Sequence, residues 1–263
     1  MGTSRGGRYH SLEEFLIATQ THVDGLLDDG WGASFPIKGR EIGATVLFAD
    51  ISGFSGRTAD MSPVETLIFV NNFFAWISAE ALEGRPGIVD KYIGDEVMVV
   101  FSKEFGSEDP FADAVIAAAN MSRHDALAFC PHIGIASGPV IVGYVGTPMR
   151  YSASVFGAPV AMAARCSAVK PEKLGDENFF ASSWVTFPLS EWGDRSLEVL
   201  LGDAHDRFEL SNAFAFTPKN LPEQEVRQVI NAGLWMPTQS AEDRARISLE
   251  ILKKANRYWP PQA

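Results

Sequence analysis

The sequence predicts an α+β fold built on a ferredoxin-like or palm-type sheet, and three observations carry that expectation. Strand-like and helix-like segments follow one another in the order β-α-β-β-α-β. The two middle strand segments, GIVDKYI and EVMVVF, are separated only by Gly94 and Asp95, the spacing of a tight hairpin. The helix before them opens with Ser62-Pro63-Val64-Glu65, a capping box with proline at the first helical position. In this arrangement the helices are expected on one face of the sheet.

Taken in order, residues 11–28 read as an amphipathic helix with Leu12, Phe15, Leu16, Val23 and Leu26 on one stripe, and GWGASFP follows as a linker. From Ile42 the texture turns β-rich, and ATVLFAD ends in a carboxylate before the turn ISGFSGR. The capped helix is expected to run to about Leu82, and a second helix to cover about 110–127. An apolar pair, HIGIAS and VIVGYVG, is hinged at Gly138-Pro139. A strand YSASVF, a helix APVAMAARCSAV and shorter elements to about Phe216 complete the core. After Pro222 the tail reads as helical and polar, with AEDRARISLEILKKANRYW a good amphipathic helix. The chain thus divides into 1–40, a helix and linker, 41–217, the core domain, and 218–263, a C-terminal helical extension for packing or dimerisation.

Composition excludes several classes. The net charge of −11 argues against a nucleic-acid surface, which needs clustered Lys and Arg. No apolar run reaches the ~18 residues of a membrane span and no signal segment opens the chain, so a cytoplasmic protein without a membrane partner is expected. The two cysteines, Cys130 and Cys166, fit no metal spacing and read as buried apolar fillers. The five histidines are scattered, with no pair at the spacing of a zinc site.

The chemistry concentrates in two carboxylates. Alone, Asp50 is a strand end meeting a turn, and Asp95 is the second residue of a Gly-Asp turn. In the expected topology the first strand lies beside the hairpin, so both acids emerge at one edge of the sheet. Two acids sharing water there repel each other unless divalent metal bridges them, and oxygen-only ligands suit Mg²⁺ or Mn²⁺. Two such ions can activate a hydroxyl and neutralise a leaving pyrophosphate. The turn ISGFSG, including Ser52, Gly53 and Phe54, adds backbone N–H groups and glycines that permit close approach of phosphate.

The ordered runs ATVLFADISGF, VDKYIGDEVMVVF, HIGIASGPVIVGYVG and YSASVFGAPVAMAARC resemble the motif set of class III adenylyl and guanylyl cyclases over about residues 42–217. The resemblance implies a cyclase homology domain that converts a nucleoside triphosphate into a 3′,5′-cyclic nucleotide with two divalent ions, Mn²⁺ or Mg²⁺. It makes Asp50 and Asp95 the metal ligands, with the Ile51 carbonyl assisting. Lys91 matches the lysine that contacts the base, Ser154 its usual Asp or Thr partner, and Arg165 the transition-state arginine. Because the family draws metals and the last three residues from different subunits, a homodimer with sites at its interface is implied.

Departures from the motifs are equally specific. Ala161 replaces the usual asparagine, His132 replaces an arginine at a strand start, and Ser211 stands where a phosphate-binding lysine is expected, leaving Arg207 or Arg150 to substitute. Ser154 cannot act as the carboxylate that accepts an adenine amino group. These departures, without a recognisable sensor domain, resemble the bacterial pyrimidine cyclases of Pycsar antiphage systems. That likeness implies cyclic UMP, or else cyclic CMP, acting on a separate effector protein. The rival readings are an ordinary adenylyl or guanylyl cyclase, a diguanylate cyclase, and a silenced cyclase fold serving as a regulatory nucleotide-binding module. The ADISGF turn and the AAR helix disfavour the diguanylate cyclase.

Overall fold

The first strand is longer than its apolar run, because residues ahead of Ile42 extend it: β1 spans Gly39–Asp50. The computed structural model describes residues 7–19, 39–78, 82, 84–123, 129–147, 150–170 and 183–231. In chain order its principal elements are α1 (Leu12–Thr19), β1, α2 (Phe54–Thr58), α3 (Pro63–Trp76), β2 (Gly87–Ile93) and β3 (Glu96–Ser102). Then come α4 (Pro110–Arg123), β4 (His132–Thr147), β5 (Arg150–Phe156), α5 (Ala158–Ser167) and β6 (Trp184–Pro188). After a short helical stretch, β7 (Phe208–Leu210), β8 (Phe214–Phe216) and β9 (Gln224–Asn231) complete the sheet. The strands run β2-β3-β1-β4-β6-β9-β7, with β5 also paired to β4 and β8 to β9. The order β2-β3-β1-β4 is the ferredoxin-like arrangement the sequence predicts.

The capping box forms as expected. The Ser62 side chain accepts from the Glu65 backbone N–H, and the Glu65 carboxylate accepts from the Ser62 backbone N–H at 2.9 Å. The α-helix it opens spans Pro63–Trp76 and helical structure continues through Ser78, beyond which residues 79–81 of the expected helix lie outside the described residues. Within ISGFSGR, Gly53 takes a φ of 63° that favours glycine, and the short helix α2 begins immediately after it.

Three expectations need correction. The segments HIGIAS and VIVGYVG form one continuous strand, β4, not a hinged pair. Its outer edge pairs with β6 over His132–Gly134 and with β5 from Ile141 onward. Gly138 and Pro139 fall between those stretches, where a residue without an N–H is tolerated. The residues directly after Pro222 are strand, not helix. In β9, Val226, Val229 and Ile230 are buried against β6, and Gln228 is buried too, donating to Thr186 and to the Lys170 carbonyl. The polar run that looked helical is an interior strand whose glutamine is satisfied by partners distant in sequence. The tail helix over 241–259, and the part of the first helix beyond Thr19, lie outside the described residues.

The third correction concerns the layers, since helices cover both faces. Alternation along β1 sends Leu47 and Ala49 to one core with Phe69 and Phe73 of α3 and Ala114 and Ala118 of α4. It sends Val46 and Phe48 to a second core with Leu12, Phe15 and Leu16 of α1 and Ala163 of α5. Each fully buried Phe or Leu stabilises the fold by ~1.5–3 kcal/mol. Cys130 and Cys166 are both buried and form no disulfide, as expected.

Candidate active site

Antiparallel pairing of β1 with β3 sets Asp50 opposite Glu96, and the two-residue turn Gly94-Asp95 places Asp95 beside that pair. The two aspartates therefore meet at one sheet edge, as the topology required. They line a pocket of about 440 Å³ with Gly53, Phe54, Ile93 and Glu96, and Ile51 contributes to the same wall. Ser52 is not among the lining residues. Phe54 also packs against the buried core, which anchors the start of α2.

The electrostatics of this edge are unfavourable without a cation. Burial, then the hydrogen bond and charge of Asp95 and the charge of Glu96, push the Asp50 carboxyl up to about 8, opposed by the Ile51 backbone N–H. Burial and Asp95 also raise the Glu96 carboxyl. Such a set of acids suits a hard divalent cation. Among the described residues no group of three His, Cys, Asp or Glu side chains can hold a metal by itself. The donors present fit such an ion, which Asp50, Asp95 and the Ile51 carbonyl would hold.

A second constellation lies on β2 and β5. Lys91 donates a hydrogen bond to the Ser154 hydroxyl. Ser154 is buried, and its hydroxyl donates to Asp90 Oδ2 at 3.0 Å. Asp90 lies 3.3 Å from the Lys91 ammonium, and its side chain is fully shielded from solvent. Burial pushes the Asp90 carboxyl up, opposed by Lys91, Ser154 and the Val155 backbone N–H. The Lys91 ammonium also stands 5.8 Å from the centroid of the exposed Phe156 ring. Sequence reasoning missed Asp90 and Glu96, although each adjoins a residue it chose. The available signal was the charged dipeptides Asp90-Lys91 and Asp95-Glu96 within a strand hairpin.

Arg165 sits exposed near the end of α5, with no hydrogen bond or ion pair to other described residues. Ala161 is exposed on the same helix. Gly134 of β4 lets α5 approach, because a Cβ there would fall 2.0 Å from the Ala163 carbonyl oxygen. His132 stacks on Trp184 with ring centroids 3.7 Å apart. Ser211 is buried, donating to the Asn212 carbonyl and accepting from the Gln228 backbone N–H, so it links β7 to β9. Arg150 and Arg207 are exposed. No described helix is long and apolar enough to cross a membrane.

This chain, with a ferredoxin-like sheet, paired acids at one edge and a lysine–serine hydrogen bond linking β2 to β5, matches a known family. The adenylate and guanylate cyclase catalytic domain model covers residues 39–173, about half of the chain, and the chain belongs to that family. An adenylate cyclase of Anabaena cylindrica is 30% identical over 151 residues, covering 49% of this chain and 29% of that protein. An uncharacterized protein of Mycobacterium tuberculosis is 33% identical over 145 residues, covering 52% of this chain and 26% of its own length. The chain thus spans less than a third of the curated relatives it matches. In fold it is similar to the adenylyl cyclase CyaB from P. aeruginosa, with a TM-score of 0.58 at 20% identity, covering 76% of this chain and 99% of that one. It is also similar to the non-canonical dimeric guanylyl cyclase domain of the RhoGC fusion protein from Blastocladiella emersonii, with a TM-score of 0.53 at 16% identity, covering 73% and 98%.

Proposed function

We propose that this protein is a nucleotidyl cyclase that converts a nucleoside triphosphate into a 3′,5′-cyclic nucleotide and pyrophosphate. The observation that carries the reading is the meeting of Asp50 and Asp95 in one pocket at the sheet edge. When bound there, two Mg²⁺ or Mn²⁺ ions supply Lewis acidity to the 3′-hydroxyl and charge neutralisation to the leaving pyrophosphate. Asp50, Asp95 and the Ile51 carbonyl would hold them. In the reaction the 3′-oxygen bonds to the α-phosphorus, the bond to the β-phosphate oxygen breaks, and the hydroxyl proton is released. Gly53 and Phe54 shape the floor beneath the phosphates, with Ser52 at the turn before them. Lys91 and Ser154 hold the base edge, and Arg165 offers charge to the reacting phosphate. The last three residues would serve a site completed by a second copy of the chain.

The finer reading is a pyrimidine substrate, UTP ahead of CTP, whose cyclic product acts as a second messenger in antiphage defence through a separate cyclic-nucleotide-responsive effector. Ser154 in place of a carboxylate on β5 supports it, and Phe156 beside Lys91 narrows the space around the base. Asp90 favours a second reading, an ordinary adenylyl cyclase, because it returns a buried carboxylate to within 3.0 Å of the Ser154 hydroxyl. Purified protein incubated with ATP, GTP, CTP or UTP and Mn²⁺, with products identified by mass, separates the readings. Cyclic UMP or cyclic CMP formed fastest, and rising in cells after phage infection, is the expected result. Faster conversion of ATP would retire the pyrimidine reading, and no product from any of the four would remove the cyclase reading.

A further inference from the structure

Strand β2 is irregular where it meets the base-reading pair. Its register with β3 skips a residue: Val89 pairs with Val99 and Lys91 with Met98, leaving Asp90 unopposed. In a regular strand, neighbouring side chains point to opposite faces. The bulge cancels that alternation, and Asp90 and Lys91 both reach Ser154 on β5. A side chain as fully shielded as that of Asp90 is an expensive place for a carboxylate unless it is paired.

The hydrogen-bond inventory gives the arrangement a meaning. A serine hydroxyl has one proton and two lone pairs. The Ser154 proton goes to Asp90, and one lone pair is taken by Lys91. A single lone pair is left, so a ligand that reaches this buried hydroxyl would meet it as an acceptor only. A serine without such a partner rotates to donate or accept as the ligand requires. We propose that Asp90 is a specificity-determining positioning residue, which claims the Ser154 proton and thereby fixes the base-reading pair as one acceptor and one donor in set positions. Bases of equal ring size differ in this respect. Cytosine and adenine carry an exocyclic amino donor where uracil and guanine carry an oxygen acceptor. A fixed pair distinguishes the two kinds, and a freely rotating hydroxyl does not. The inference rests on the cyclase reading for its substrate class, but not on turnover for its test.

The experiment measures kcat/KM for UTP, CTP, ATP and GTP with Mn²⁺, and dissociation constants for the same four by calorimetry. The proteins are wild type, Asp90→Leu, Asp90→Ala, Asp90→Asn and Ser154→Ala, and Asp90→Leu combined with Ser154→Ala. Leucine is close in volume and has no acceptor, while Asp90→Ala covers the case in which Asp90→Leu does not fold. The UTP:CTP and GTP:ATP ratios are expected to move toward one by ~10-fold in Asp90→Leu and Asp90→Ala, since an unmade buried hydrogen bond is what enforces discrimination. Asp90→Asn keeps an acceptor oxygen and should retain the wild-type ratios. Adding Asp90→Leu to Ser154→Ala should move them no further. Equal loss for all four nucleotides, a shift that persists without Ser154, or wild-type ratios already near one would overturn the proposal. If the wild type binds nucleotides without converting them, the cyclase reading falls, and the dissociation-constant ratios still decide the role of Asp90.

Discussion

Asp50 carries two opposed duties at the scale of the residue. Its position opposite Glu96 and beside Asp95 is unfavourable for the metal-free protein and suited to a cation. Asp50→Ala and Asp95→Ala are each expected to lower kcat by more than ~10²-fold, the scale of losing one transition-state contact, while the far-ultraviolet circular dichroism spectrum is preserved. Unchanged turnover in Mn²⁺ would sink the two-metal assignment. The sign of the stability effect follows from the raised carboxyl. Folding lifts Asp50 from its ordinary 3.8 to about 8, so the stability it contributes is present below pH ~4 and lost as pH rises to about 8. Metal-free Asp50→Asn should therefore melt above wild type at pH 8 and show no such advantage at pH 4. A wild-type advantage at pH 8 without metal would contradict the shared-charge picture.

At the scale of the element, α5 is held against the sheet by the absence of a side chain. A Cβ on Gly134 would lie 2.0 Å from the Ala163 oxygen and 2.3 Å from the Ser167 nitrogen, both backbone atoms that cannot rotate aside. Gly134→Ala must push α5 outward, and overpacking of this kind costs ~1–3 kcal/mol. At ~2–4 °C per kcal/mol for a domain of this size, the melting temperature should fall measurably. Because α5 carries Arg165, the proposed cyclase activity should fall further than the unfolded fraction explains. An unchanged melting temperature would show that the helix does not pack as described.

At the scale of the whole molecule, Lys91 and Ser154 are not among the residues lining the pocket that holds Asp50 and Asp95. Ile93, Ile141, Val145 and Phe156 are exposed apolar residues on β2, β4 and β5, which the proposed second copy would help to cover. In the proposed two-fold dimer each site would take Asp50 from one chain and Arg165 from the other. Mixing inactive Asp50→Ala with inactive Arg165→Ala leaves one intact site in each mixed dimer. With free exchange, activity should recover to roughly a quarter of wild type by this symmetry. No recovery, with exchange confirmed, would reject sites shared between chains.

Sequence alone determined what is local or ordered along the chain. The capping box at Ser62, the Gly94-Asp95 turn and the β-α-β-β-α-β order each depend on neighbouring residues or on periodicity, and together they placed Asp50 beside Asp95. Tertiary structure decided whatever depends on partners distant in sequence. β9 became a strand because β6, β7 and β8 supply its hydrogen bonds, and Gly138-Pro139 stayed within β4 because its outer edge is unpaired there. Helices on both faces follow from which core each side of β1 meets. Asp90 lay beyond pattern reading for the same reason. A one-residue bulge, which no periodicity records, turns its carboxylate to the side of the sheet where Ser154 waits 64 residues later in the chain.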